Sequence, residues 1–466
     1  MSDAYDLAIL GAGSAGYACA LRAATLGLSV VMIDEAEVGG TCLHRGCIPT
    51  KAWLHAAKVR RTVSKAPSFG IGAELGDTDA EAIRAYADGV VSGLHRGLTG
   101  LLKSRGVTVV AARGSLEVSD AGPAIRTPDA LHRASAVLVA TGAAPATLGF
   151  DIDGERILTS NHALRLSTLP ETAIVLGGGV IGVEFASLWA DLGVSVTLLE
   201  ATDRLLPGEE PGHVRVLRRE LERRGVDIRL GAPATSAEAT DGGVRVSAGS
   251  DSVSAELLLI AAGRRPVTSG IGLEEAGVTL SPSGHVVVDG NLQTAARNVY
   301  AAGDLVPGPQ LAHRGYAHGI FVAERIAHNL GRHPRKPTPV RDVDIPRVVY
   351  SSPQLASVGV TLEAAGAGAD SVDYHLTGNG RAQILRAPGE RESGVVRMVR
   401  AADGRIVGLH AVGEDVSELI AEGALLVGWH ATPEDVAGII HPHPTLSEAL
   451  AEANWALAGQ PLHIHG

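Results

Sequence analysis

The chain has 466 residues, 45 % of them hydrophobic, which is enough for several cores and, by length, about three domains. Forty Lys and Arg against 51 Asp and Glu leave a net charge of −11 with no basic tract, which argues against nucleic acid and against an anionic membrane as partners. No apolar run approaches the roughly 18 residues that span a bilayer, and the start Met-Ser-Asp-Ala-Tyr-Asp carries acid where a secretory signal needs base, so the expected setting is cytoplasmic.

The first element expected is an apolar strand that runs into a glycine turn and a helix. Residues 5–34 read YDLAILGAGSAGYACALRAATLGLSVVMID, with Gly11, Gly13 and Gly16 in a G-x-G-x-x-G turn and Asp34 ending the second strand. Residues 173–200 repeat the pattern as AIVLGGGVIGVEFASLWADLGVSVTLLE, with Gly177, Gly179, Gly182 and Glu200. In both, the acid follows the first glycine by 23 residues. Among 58 glycines a lone G-x-G-x-x-G is a weak signal. Placed between strand and helix, with an acid about 20 residues on, it becomes a dinucleotide fingerprint. The first glycine permits the turn, and the second admits the pyrophosphate to the backbone. The helix N-terminus supplies unpaired N–H groups, and the acid accepts from ribose hydroxyls. Two fingerprints imply two dinucleotides; the alternative is one live site and one decayed duplicate.

Between them lies VGGTCLHRGCIPTKAW (38–53), with two of only three cysteines, Cys42 and Cys47; the third is Cys19. Three cysteines are too few for a secreted disulfide framework, so a close pair points to redox or metal chemistry. No second Cys pair or His-x-x-x-His completes a zinc site, which leaves redox chemistry leading. In a regular helix, residues five apart have α-carbons about 8–9 Å apart, whereas a disulfide needs less than about 7 Å. If Cys42 and Cys47 bond, the stretch between them is not ideal helix, and Gly39, Gly40 and Gly46 supply the freedom. Pro49 suits the first turn of a helix starting near Cys47, where a thiolate is stabilised. Lys51, four residues on, returns to the face of Cys47; taken alone it reads as a solvated lysine.

Further along, 80–105 has a helical pattern. Two later apolar strands, ASAVLVATGAAP (134–145, with Thr141 and Gly142) and ELLLIAAGRRP (256–266, with Gly263), end in small-residue turns that let backbone pass close to a cofactor. Residues 226–256 alternate like strands of a small sheet. VYAAGDLVP (299–307) ends near Asp304, placed to meet a flavin's ribityl or phosphate region. GRHPRKPTP (331–339) reads as a linker, and 343–466 mixes short strands and helices without a nucleotide fingerprint, a separate α+β domain. In HPHPTLSEAL (441–450), Thr445 and Glu448 fit a helix capping box.

GGTCLHRGCIPTK resembles the active-site disulfide of the pyridine nucleotide–disulfide oxidoreductase family, and the likeness runs from Leu7 nearly to the end. It implies an α/β chain of glutathione-reductase-like architecture, with two Rossmann-like domains and an α+β dimerisation domain. The expected division is 1–147 for FAD and the disulfide, 148–268 for NAD, 269–337 for a central domain completing the FAD site and 338–466 for the interface. By resemblance, Cys47 contacts the flavin as the charge-transfer thiolate and Cys42 is the interchange thiol. Lys51 pairs with Glu184 near flavin N5. The motif H-P-T-x-S-E selects His443 over His441 as the acid–base group, its tautomer fixed by Glu448. His443 then comes from the other subunit of a homodimer, the shared site forming twice. Gly40, Thr41, Gly114, Leu311, Ala312 and His313 are further cofactor contacts that the family pattern implies.

Within the family, HPHPTLSE and LAHRG (311–315) most resemble the dihydrolipoyl dehydrogenase branch. Mercuric reductases carry a C-terminal cysteine pair, and no cysteine follows Cys47 here. The implied reaction is oxidation of dihydrolipoyl groups, on a carrier protein or as dihydrolipoamide, with reduction of NAD+. An alternative is reduction of another small or protein disulfide in a specialised pathway. A third possibility, a non-catalytic flavoprotein scaffold, expects loss of Cys42, Cys47, His443 or Glu448, and all four are present. A carboxylate at Glu200 about 4 Å from a 2′-phosphate costs about 4 kcal/mol at an effective dielectric of 20, which favours NAD over NADP; Arg204 weakens the bias. Departures from the family pattern are His318 and Gln354 for Glu, Trp53 for Leu and Asp34 for Glu. His318 and Trp53 put a standard lipoyl partner in doubt.

Overall fold

A computed structural model describes residues 4–249, 251–391 and 394–464. The chain divides into two compact units, each built from three stretches. The first takes in the residues up to Ala52, with Ala85–Ala146 and Gly263–Asp342. The second takes in Trp53–Arg84, Thr147–Ala262 and the chain from Val343 onward.

The first unit is organised by a parallel sheet in the order Thr108–Ala111, Val30–Asp34, Tyr5–Leu10, Leu131–Val139, with Val299–Ala301 on the far side of Leu131–Val139. Alternation along the strands decides its faces. Leu7, Ile9, Met32 and Leu138 face the helices Ser14–Thr25 and Ala312–Asn329, while Ala8, Leu10, Val31, Ile33 and Val139 face Leu116, Ile125 and Ile271. The Gly122–Arg126 and Ser115–Ser119 strands extend the start of Leu131–Val139 as an antiparallel meander. The two helices cross closely because Gly315 and Gly319 carry no side chain. A Cβ at Gly319 would overlap the Ala15 carbonyl oxygen. Cys19 lies in this contact, fully buried, and burial pushes its thiol up. It is a core residue.

In the second unit a parallel sheet runs Asp227–Arg229, Ser195–Leu199, Thr172–Leu176, Leu257–Ile260, Ile157–Thr159. The stretch 226–256 does form a small antiparallel sheet, Ala234–Thr240, Gly243–Ala248 and Asp251–Ala255. Its first strand, Asp227–Arg229, instead joins the parallel sheet, where its one apolar residue, Ile228, is buried beside Leu198. The C-terminal part is an antiparallel sheet in the order Arg347–Val349, Gln354–Gly359, Ile406–Gly413, Val395–Arg400, Asp370–His375. The helices Ile420–Gly428 and Glu448–Leu457 cover it through Ile420, Val427, Leu450 and Leu457. Among the described residues no helix is long and apolar enough to cross a membrane.

Candidate active site

The first glycine turn is held by contacts that only glycine allows. Gly11 has φ +105°, and a Cβ there would strike the Ala140 carbonyl. A Cβ at Gly16 would overlap the Gly11 carbonyl oxygen, so strand and helix meet without a spacer. Gly13 is different: nothing lies within 4 Å of where its Cβ would be. That open space sits at the N-terminus of the helix Ser14–Thr25, which has no side-chain cap. Asp34 closes the turn, its carboxylate accepting from Ala12 N at 2.6 Å and Ala36 N at 2.8 Å. A carboxylate has about four acceptor positions, so capacity remains for a ribose.

The second turn repeats this. Gly177 has φ +115° with its absent Cβ 2.6 Å from the Ala261 oxygen, Gly182 abuts the Gly177 carbonyl, and Gly179 faces open space. Glu200 accepts from Gly178 N at 2.6 Å and from Thr202 N and Oγ1 at 2.8 Å each. Both turns fit a dinucleotide pyrophosphate. Glu184, one turn into the helix Val180–Asp191, is buried and accepts from Tyr350 N at 2.9 Å.

The cysteine segment breaks where its geometry requires. A short helix Gly40–Arg45 ends at Gly46 (φ −141°, ψ −112°), and a new helix, Cys47–Lys65, starts at the second cysteine with Pro49 in its first turn. A Cβ at Gly46 would press on Thr41 O at 3.0 Å. Cys42 and Cys47 are thiols in side-chain hydrogen-bond contact. That hydrogen bond, then burial and the charge on Cys47, push the Cys42 thiol far up, while Lys51 pulls it down. Lys51 is close enough to Cys42 to act on it.

The small-residue turns after the two later strands turn out to be partners. Ala143–Pro145 and Arg264–Pro266 form a two-stranded antiparallel ladder, reinforced by Thr141 Oγ1 donating to Val267 O at 2.7 Å and by Val267 N donating to Gly142 O at 2.9 Å. Gly142 (φ +70°) and Gly263 (φ +107°) have open space where a Cβ would be. Arg264 donates to the Ala143 carbonyl and is electrostatically coupled to Asp304 and Cys47. Sequence reading passed over Arg264; the signal was a basic residue inside an otherwise small, apolar turn. Asp304 is largely buried, which raises its carboxyl, against the pull of Arg264, Arg314 and His285. Leu311, Ala312 and His313 open the helix Ala312–Asn329. Gly114 is enclosed: a Cβ would meet Leu10 at 2.7 Å and Ile125 at 2.9 Å.

At the C-terminal motif the two histidines differ. The His441 side chain is only 7 % exposed and bonds Glu422 Oε1 through Nε2 at 3.0 Å. The His443 ring is 76 % exposed and bonds Glu448 Oε1 through Nδ1 at 2.9 Å, which leaves Nε2 facing outward. Glu448 Oε2 accepts from Thr445 N at 2.8 Å, but the helix begins at Glu448 with Ser447 as its N-cap and the Thr445 hydroxyl donates to Pro442 O, so the expected capping box is not formed. Burial opposes the Glu448 charge, but the Thr445 and His443 hydrogen bonds hold its carboxyl below the usual range.

The departures have local explanations. Gln354 accepts from Ser417 N at 3.0 Å. His318 is buried and accepts from Gly303 N at 3.4 Å. Trp53 is 2 % exposed. Neither His318 nor Trp53 presents a side chain to solvent.

Residues 5–319 match the pyridine nucleotide-disulphide oxidoreductase family, and residues 345–454 match its dimerisation domain. The chain is 36 % identical to a dihydrolipoyl dehydrogenase of Bacillus subtilis over all of both chains, and 37 % identical to that of Thermus scotoductus over 99 % of both. It also resembles the solved structure of LpdA from Mycobacterium tuberculosis (TM-score 0.89, 32 % identity, 97 % of this chain and 99 % of that one). A copper(II) complex of RclA, an HOCl-induced flavoprotein disulfide reductase of Escherichia coli, is similar too (TM-score 0.84, 26 % identity, 97 % and 99 %). The chain belongs to the pyridine nucleotide-disulphide oxidoreductase family.

Proposed function

We propose that the protein is an NAD-linked dihydrolipoyl dehydrogenase acting as a homodimer. The observation that carries this is the Cys42–Cys47 pair, two sulfurs in side-chain contact with the second at the head of a helix, in a chain whose full-length relatives carry that name. The turn at Gly11, Gly13 and Gly16, with Asp34, would hold FAD, and Gly40, Thr41, Thr141, Gly142 and Asp304 would border it. The turn at Gly177, Gly179 and Gly182, with Glu200, would hold NAD. When bound, the flavin accepts two electrons from the dithiol and passes them as hydride to NAD+.

The chain's own residues supply the thiol chemistry. A base takes the proton from one substrate thiol, and the thiolate attacks Cys42 of the oxidised pair. A substrate–Cys42 bond forms as the Cys42–Cys47 bond breaks, leaving the electron pair on Cys47. The second substrate thiolate then attacks the first substrate sulfur, closes the cyclic disulfide and expels Cys42, which takes up a proton. Substrate loses two electrons and two protons; the cysteine pair gains the electrons. Cys47 is the better placed of the two to hold the charge because it opens a helix, whose N-terminus favours a thiolate.

His443 is the proposed base. Glu448 fixes Nδ1, so Nε2 is the working nitrogen. Its exposure suits service to the cysteine pair of the other subunit, and Trp429 and Ile440, 75 % and 94 % exposed in the same domain, suit a face covered by that subunit. The cytoplasm, which keeps thiols available, is the proposed setting.

The test is NADH formation from dihydrolipoamide, repeated with Cys42→Ser. The expected result is robust turnover in the wild type and a loss of about a thousandfold or more in the variant, with NADH-driven reduction of ferricyanide retained. No NADH from the wild type would sink the assignment. The likeness to RclA supports a second reading, reductase of another disulfide. Glutathione disulfide and small aromatic disulfides, offered with NADH in the same assay, separate the two.

A further inference from the structure

The His443 ring is 76 % exposed, so packing does little to fix it and hydrogen bonds must. Glu448 holds Nδ1, and the ring edge passes over Gly380, where a Cβ would stand 3.9 Å from His443 Cε1 and from Pro444 Cβ. Glu448 is held in turn by Thr445, whose N–H donates to its second carboxylate oxygen. Where the imidazole points therefore depends on what holds Thr445.

Asn379 holds it. This residue lies between the strand Asp370–His375 and the short helix Gly380–Leu385 and is 2 % exposed. Its Oδ1 accepts from Ala382 N at 2.9 Å, and its Nδ2 donates to Thr445 O at 2.9 Å. A backbone N–H only donates and a carbonyl only accepts, so the two partners fix which end of the amide faces which. The Asn379 backbone is tied as well. Its N–H donates to Leu376 O at 3.0 Å, and its carbonyl accepts from Gln383 N at 3.1 Å. Leu376 belongs to the core of the C-terminal sheet. Asn, Asp and Ser serve about equally as helix caps. Of the three, only Asn can cap with one atom and donate to Thr445 with another. An ionised carboxylate only accepts, and a serine hydroxyl is one atom on a shorter arm.

We propose that Asn379 is a positioning residue for His443. Three hydrogen bonds, Asn379 to Thr445, Thr445 to Glu448 and Glu448 to His443, link the buried core to an imidazole in solvent. Asn379 touches no reacting atom and moves no proton. Its role rests on the reading of His443 as the base.

The experiment follows flavin reduction in the holoenzyme by dihydrolipoamide after rapid mixing. Asn379→Ser keeps a cap for Ala382 N and gives up the reach to Thr445. It should slow flavin reduction about tenfold, the worth of one hydrogen bond, and lower kcat more than it raises KM. Asn379→Asp keeps the cap, sets a second acceptor against Thr445 O and should slow the reaction at least as much. Flavin reduction by NADH, which needs no thiol base, should run at the wild-type rate in both. A double-mutant cycle is decisive. His443→Gln alone should cost about a hundredfold or more. Adding Asn379→Ser should cost nothing further, because the ring through which Asn379 acts is gone. Wild-type rates in both Asn379 variants, an equal loss in the NADH reaction, or the same tenfold loss on top of His443→Gln overturns the proposal. A His443→Gln enzyme as fast as the wild type would show that the assignment of the base had failed, and the proposal with it.

Discussion

Gly11 and Gly177 open nearly the same turn, at φ +105° and +115°, and Asp34 and Glu200 close it with the same 2.6 Å hydrogen bond to a backbone N–H. Their surroundings differ. Around the first, Gly40 packs on Gly13, and Gly315 and Gly319 press a second helix against Ser14 and Ala15. Around the second, Gly179 has the same open space as Gly13, and the atoms nearest the neighbouring Gly178 belong to Leu205 and Glu200, not to a loop that carries cysteines. The fingerprint builds the cradle; what encloses it sets the use. A cradle wrapped by the cysteine loop suits a cofactor that stays, and an open one suits a cofactor that exchanges.

The sharpest way to break that comparison is Gly11→Ala against Gly177→Ala. Each adds a Cβ where φ is positive and a carbonyl oxygen occupies the space. Left-handed strain and overpacking together should cost about 3–5 kcal/mol locally. Gly11→Ala should purify without flavin. Gly177→Ala should keep flavin and lose NADH-driven reduction of it. Flavin absorbance and anaerobic NADH titration check both, and equal flavin loss in the two variants would show that the turns are not separately used.

What was legible in the chain follows the range of the physics. The glycine turns, their acids and the helix break before Cys47 follow from steric and covalent rules acting over a few residues, and those could be read directly. The ladder between Ala143–Pro145 and Arg264–Pro266 could not, because its partners are 121 residues apart at Arg264 and Ala143 and neither strand exceeds three residues. The Asn379–Thr445 hydrogen bond spans 66 residues, beyond the reach of any local rule. His318 and Trp53 stood out as unusual residues and suggested an altered partner surface, yet both are buried. Residue type marks a departure, but only packing shows which way a side chain points.

A smaller effect separates the acids. Glu200→Gln keeps an acceptor for Gly178 N and removes the charge. With a 2′-phosphate near 4 Å, the NADP-to-NAD preference should rise by about tenfold if the site is well hydrated and up to about a thousandfold if it is not. Asp34→Asn, the same change at the other turn, should leave nucleotide preference unchanged. kcat/KM for both nucleotides measures this; an unmoved ratio in Glu200→Gln would remove that carboxylate from nucleotide choice.

The smallest expected effect compares one buried imidazole in each unit. His318 is pushed down to about 4 by burial and then by Arg314. His213 is pushed down to about 3 by burial, then by His410 and Arg397. A depressed histidine pKa means that the fold holds the neutral ring while the unfolded chain takes up a proton near pH 6.5. The stability from each is therefore complete above about pH 6.5 and falls by about 1.4 kcal/mol per pH unit below it. The loss levels off near pH 4 for His318 and near pH 3 for His213. At pH 5 each unit should be weaker by about 2 kcal/mol on that account. Urea unfolding at pH 7 and pH 5, followed by flavin release for the first unit and by far-ultraviolet ellipticity for the whole, should show both losses. His318→Gln should flatten the pH dependence of flavin release alone, and His213→Leu that of the remaining transition. If either variant flattened both, the two units would be unfolding as one, and the division between a wrapped and an open cradle would not extend to their stabilities.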